Sequence, residues 1–344
     1  RSSPPIPPLR CVRPKWAHGS HRVVDFEILP MTVFDRPRVD VTLRVSGFFR
    51  DAFANLVALF DAAVQAVAAL DEPADVNPLR ARVLAEQQAL EAQGIAPELA
   101  RQRAGWRVFG ARPGDYGTGL QALIDTRRWQ SDEDLAQAYL HAGGYAYGQR
   151  SAGADARDAF AARLAEIDVV LQNQDNREHD ILDANDYYQF HGGMVAAVRH
   201  LGGAQPAVYL GDHANPAAPR VRTLDEEIAR VIRTRVVNPK WIDGVKRHGY
   251  KGAFEMAATV DYLFGYDATA RVVGDHQYAL VADAYVHDDV TRAFLAQHNP
   301  RALQGICERL LEAMARGLWQ EPGDHQTRIA GHLLDNEQHL EGMS

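Results

Sequence analysis

Residues 172–186 carry five acids in fifteen positions: Asp175, Glu178, Asp180, Asp183 and Asp186. His179 sits among them, and His191 follows. Carboxylate oxygens beside imidazole nitrogens are donors that a divalent cation accepts, and the same groups exchange protons near neutral pH. An apolar burst at 167–171 (IDVVL) precedes the run and reads as a short buried strand; Gly192-Gly193 and an apolar helical pattern follow it. An α/β protein places a metal or acid/base site just past a strand end. A solvated acidic loop is the plain alternative. Against it, the acids are interleaved with Asn, Gln and Tyr, and the run is bracketed by apolar segments on both sides.

Other constellations carry less. Segment 238–252 mixes Trp241 and Tyr250 with Lys240, Lys246, Arg247 and Lys251. It reads either as a solvated helix face over two core aromatics or as a surface for carboxylates on a substrate or partner. Gly110, Gly114, Gly117 and Gly119 surround Asp115 and Tyr116, but neither G-x-x-x-x-G-K-[ST] nor G-x-G-x-x-G is present. An ordered loop is expected there, not ATP hydrolysis. His248 and His276 are isolated and read as structural.

The elements that must position the acidic run follow from periodicity. Val39, Val41, Leu43 and Val45 alternate with polar residues, a strand with one buried face, and Ser46-Gly47 turns into a helix over 48–70. Further strands are expected at 23–29, 107–109, 167–171 and 207–210, with helices between them. Ser131 with Asp134, and Thr223 with Glu226, read as capping boxes, and Asn299-Pro300 as a helix start. Residues 216–319 are almost wholly helical in pattern. The expectation is a helix-rich α/β fold: an irregular stretch at 1–24, an α/β part with a short, mostly parallel sheet at 25–215 carrying the acidic run, a helical part at 216–319, and a polar tail at 320–344.

The 344 residues carry a formal net charge of −8, with 46% hydrophobic and 24% charged residues, ordinary for a globular chain. The acidic balance argues against nucleic-acid binding. No apolar run is long enough to span a membrane. Cys11 and Cys307 form neither a disulfide framework nor a cysteine zinc motif, which fits the cytoplasm. The start, RSSPPIPP, has no Met and no apolar signal region and reads as the cut end of a longer protein.

Three stretches carry a resemblance: VDVTLRVSGFFRDA at 39–52, LQNQDNREHDILDANDYYQFHGGM at 171–194, and VRTLDEEIARVIRTRVVNPKWIDGVKRHGYKGAFEMAATVDYLFGYD at 221–267. Over roughly 25–320 the chain resembles the C-terminal region of the large subunit of aerobic cobaltochelatase. The large subunit of magnesium chelatase shares a looser version. Ala54 stands where the pattern usually has Pro.

The resemblance implies binding of a tetrapyrrole, hydrogenobyrinic acid a,c-diamide, and insertion of Co²⁺ as substrate. Two further subunits are implied, one an AAA+ ATPase that uses ATP and Mg²⁺, which agrees with the missing phosphate loop. The alternatives are Mg²⁺ insertion into protoporphyrin IX and a non-catalytic module that docks the ATPase. An aspartate implicated in magnesium chelatase aligns with Asp183. The Asn-Arg-Glu-His pattern, fuller here than in the magnesium branch, connects His179 and His191 with cobalt. On this reading Asp183, His179 and Asp186 are catalytic, and Asp175, Glu178, Asp180 and His191 guide the metal. Tyr187, Tyr188 and Trp241 pack on the macrocycle, while Arg177, Lys240 and Lys246 meet its carboxylates. The opposite wall of the site is expected outside this chain.

Overall fold

The computed structural model describes residues 12–19, 22–34, 36–176 and 178–342. The chain divides into two compact units, one of residues 1–167 and 197–204, the other of 168–196 and 205–344. The fold is helix-rich α/β, as the periodicity implies. Among the described residues its strands lie in three small sheets, two of mixed direction and one antiparallel, rather than in one mostly parallel sheet.

The first unit opens with an antiparallel pair, β1 (Val12–Trp16) and β2 (Val23–Ile28). Within the stretch expected as irregular at 1–24, Val12–Trp16 is a strand. Cross-strand pairs Arg13–Glu27 and Lys15–Asp25 join the two strands, and most of their residues are exposed, which is why hydrophobic patterning did not mark β1. A second sheet has the order β3 (Leu43–Arg44), β4 (Val108–Gly110), β5 (Tyr145–Gly148), β6 (Ser151–Asp155). The strand expected over 38–45 shrinks to β3, with Val39 exposed. Arg107, itself buried, fixes the preceding segment by holding both oxygens of Asp40, at 2.6 and 3.0 Å. Ser46 caps the helix Gly47–Ala52 by accepting from the Phe49 amide. Phe53 interrupts the run expected as one helix, and Ala54–Ala68 continues it.

The second unit holds the sheet β7 (Val169–Gln174), β8 (Ala207–Asp212), β9 (Arg220–Thr223), with β7 and β8 parallel and β9 antiparallel to β8. Its core is the 21-residue helix Tyr250–Ala270, packed with Pro300–Ala315. Arg309 ties these two helices, with Nε 2.8 Å from Asp261 and its guanidinium over the Phe264 ring. The acidic run, expected in the α/β part, packs with this helical unit. The expected polar tail contains a helix, His325–Gly342, anchored by buried Ile329 and Asn336. Two anchors in 18 residues are too few to show as an apolar stripe.

Candidate functional site

β7 and β8 run parallel and end together at Gln174 and Asp212. The carboxyl ends of neighbouring parallel strands are where α/β sheets expose ligand-binding loops. The acidic run leaves from this edge. The Gln174 side chain is buried and donates to the His179 carbonyl, and the Gln174 carbonyl accepts from the His213 amide at 2.7 Å. Both sides of one residue therefore pin the start of the loop and its neighbour beyond β8.

Asp180 is the anchor of the loop. Arg235 reaches its two oxygens through Nε at 2.6 Å and Nη2 at 2.9 Å, and both side chains are less than one-fifth exposed. Arg235 also donates to Thr259 and lies 5.1 Å from the Trp241 ring centroid, a cation–π distance. Asp180 further accepts from the Leu182 amide and, through its carbonyl, from the Asp183 amide. Ile181 and Leu182 are fully buried. The loop is thus folded on a carboxylate and two apolar plugs. A freely solvated loop would have neither.

This fixed backbone presents His179 and Asp183 on the surface. Nδ1 of His179 and Oδ2 of Asp183 are 2.8 Å apart, with the histidine more than half exposed and the aspartate less than a third. The His179 amide donates to Asn176, which orients the residue from the other side. The hydrogen bond to Asp183 raises the imidazole pKa above its ordinary value, with Glu178 and Asp180 adding to the effect. An imidazole whose Nδ1 is held by a carboxylate has its Nε2 left for proton transfer.

Asp175, Glu178 and Asp186 are exposed carboxylates of the same run. Burial raises the pKa of the half-buried Tyr187, and the charges of Asp175, Asp180 and Asp183 add to it. Asn176 donates to the Tyr187 hydroxyl at 3.3 Å. Lys240 is exposed, and Lys246 and Trp241 are half-buried, Trp241 being linked to the run through Arg235. Arg177 lies outside the described residues.

Two of the expected residues are buried. Tyr188 is 3% exposed, and its ring packs against Gly265. His191 is 2% exposed, edge-on to Tyr266 at 6.2 Å, and neither of its ring nitrogens has a hydrogen-bond partner. Burial alone pushes its pKa down to about 3. Both sit on the inward face of the π-helical turn Tyr188–Gly192, which follows the loop and packs on Tyr250–Ala270. Among the described residues no three of Asp175, Glu178, Asp180 and His191 come together as a compact ligand set, and Asp180 is already engaged by Arg235.

The residues that sequence reasoning missed are Arg235 and His213. Arg235 lies inside the stretch 221–267, but its partner is 55 positions away, and no periodicity links the two. His213 follows β8, which runs two residues past the strand expected at 207–210. Arg222 adds a further link, bridging Asp212 at 3.3 Å and the buried Glu227 at 3.1 Å.

A polar loop held rigidly at the end of a parallel strand pair, with an exposed imidazole–carboxylate couple inside a negative field, is suited to handling protons and cations. The chain belongs to the CobN/Magnesium Chelatase family, whose model matches residues 9–326. It is 64% identical over 327 residues to an aerobic cobaltochelatase subunit CobN of Pseudomonas aeruginosa, covering 95% of this chain and 26% of that protein. It is 32% identical to a magnesium-chelatase subunit of Cereibacter sphaeroides, covering 98% of this chain and 28% of that protein. The structure of a catalytic subunit of cobaltochelatase from Mycobacterium tuberculosis superposes with a TM-score of 0.90 at 50% identity, covering 96% of this chain and 28% of that one. The chain spans about a quarter of the length of the relatives it matches. Among the described residues no helix is long and apolar enough to cross a membrane.

Proposed function

We propose that this chain forms one wall of the site at which a chelatase large subunit inserts Co²⁺ into a tetrapyrrole, with the His179–Asp183 couple as the proton acceptor. The couple is the observation that carries the reading. Metallation replaces two pyrrole N–H protons with the cation, so a base must stand within reach of the ring. His179 is exposed, oriented from two sides and held by a carboxylate. Asp183 stabilises the imidazolium that forms when Nε2 takes a proton. The exposed carboxylates of Asp175, Glu178 and Asp186 raise the local concentration of the incoming cation. Arg235 fixes the loop through Asp180, and Trp241, Lys240 and Lys246 are the groups for the ring and its carboxylates.

Cobalt is favoured over magnesium by the higher identity to the cobaltochelatase subunits and by the imidazole at the site. The macrocycle is hydrogenobyrinic acid a,c-diamide, and ATP and Mg²⁺ are used by a separate AAA+ subunit acting with a third subunit. Titrating this chain with the corrinoid, followed by absorbance and tryptophan fluorescence, tests the reading. Saturable binding that weakens in Trp241→Ala supports it. Absence of binding together with capture of the ATPase subunit would make this piece a docking module.

A further inference from the structure

The geometry points to a site for one first-row divalent transition metal at Asp283, His287 and His325, far along the chain from the acidic run. One ligand atom from each residue lies within 4.8 Å of the other two. Asp283 and His287 bracket the π-helical segment Asp283–His287, and His325 opens the helix His325–Gly342. Three donors thus converge from two elements of the same unit.

The donor set decides the class of ion. Two imidazoles and one carboxylate suit Zn²⁺, Co²⁺ or Ni²⁺ and are a poor set for Mg²⁺ or Ca²⁺, which take oxygen. The spacing also fits. Metal–ligand bonds of about 2.1 Å at tetrahedral angles put neighbouring donors roughly 3.4 Å apart. Nε2 of His287 and Nδ1 of His325 are 3.0 Å apart. A small outward adjustment of the two rings brings the set to that spacing.

Nδ1 of His287, the ring nitrogen on the side away from His325, is buried and has no hydrogen-bond partner, so Nε2 is the nitrogen that faces the donor set. His332 stands two helical turns beyond His325 on the same helix, and its ring centroid is 5.6 Å from that of His287. It stands beside His287 but outside the three-residue donor set. Trp319 packs against the His325 ring at 5.2 Å and screens that side. A bound ion would cross-link the last helix, otherwise anchored by Ile329 and Asn336, to the body of the unit. The site stands whether or not the His179 couple acts on a tetrapyrrole.

The test is calorimetric titration of the chelator-stripped chain with Co²⁺ alone and with Zn²⁺ alone, together with the visible d–d absorption of the cobalt form. One equivalent is expected at this site, with an imidazole-ligated, low-symmetry spectrum. Asp283→Asn and His325→Gln are each expected to weaken it at least tenfold, with the circular dichroism of the apo chain unchanged. His339→Gln, an exposed histidine farther along the same helix, is expected to bind as wild type. Asp283→Asn changes an exposed side chain, so it reads the site even if the histidine variant folds poorly. Failure of the wild type to bind either ion, or equal affinity in wild type and Asp283→Asn, would overturn the assignment.

Discussion

The Arg235 guanidinium holds both oxygens of Asp180, at 2.6 and 2.9 Å, across 55 residues of sequence. That one bidentate contact joins the acidic loop to the helical body and places His179 and Asp183 on either side of the anchor. Both partners are largely buried. Removing one strands the other charge, which costs more than the pair contributes in net terms. Asp180→Ala is expected to destabilise the chain by about 3 kcal/mol in urea unfolding, and the double variant with Arg235→Met by less than the single one.

The His179–Asp183 couple makes a titration prediction. The hydrogen bond to Asp183 raises the His179 pKa above 6.5, so Asp183→Asn is expected to lower it toward the unperturbed value, measured by NMR of the imidazole. The sign for stability follows. A histidine whose folded pKa is raised contributes stability that is fully present below pH 6.5 and is lost as pH rises through the folded value. With His179 more than half exposed, solvent screening limits that contribution to under about 1 kcal/mol. As a base the ring must be neutral, so insertion is expected to rise with pH through the same folded value.

His191 behaves in the opposite way. Its ring is buried and neutral, with a pKa of about 3. Below pH 6.5 the unfolded chain takes up a proton there and the folded chain does not, so stability is lost as pH falls toward 3, at about 1.4 kcal/mol per pH unit. His191→Leu removes two unpartnered nitrogens. It is expected to be close to neutral at pH 7 and to unfold at lower pH than wild type in an acid titration followed by circular dichroism.

Glycines in the second unit divide by what surrounds them. A Cβ at Gly192 would meet Thr269 Oγ1, and one at Gly265 the Tyr188 ring at 2.9 Å. Alanine at either position is expected to cost about 1–3 kcal/mol through overpacking, read by thermal unfolding. Gly305, exposed in Pro300–Ala315 with nothing near the added methyl, is expected to gain about 1 kcal/mol as alanine.

The residue types of the acidic run, and the strand that delivers it, were legible from sequence because both are local. Depth was not. Tyr187 and Tyr188 are adjacent, yet one is half-buried and the other covered by Gly265, and only the turn of the π-helical segment decides which faces inward. Asp180 looked the same as its four neighbouring acids until Arg235 singled it out. The capping signals at Ser131 and Asn299 held because the cap and its partner lie within three residues. β1 and the helix His325–Gly342 escaped because each is secured by few buried groups and otherwise faces solvent. The Asp283–His287–His325 cluster joins segments 38 residues apart, beyond any motif spacing.

The proposed chemistry depends on Asp183 holding His179, and cobalt insertion by the complete multisubunit enzyme carrying Asp183→Asn tests it most directly. A fall of roughly 10²–10⁴ in insertion rate is predicted, the range that general acid–base catalysis supplies, with corrinoid binding retained and the residual pH profile shifted to lower pH. An insertion rate and pH profile equal to wild type would contradict it.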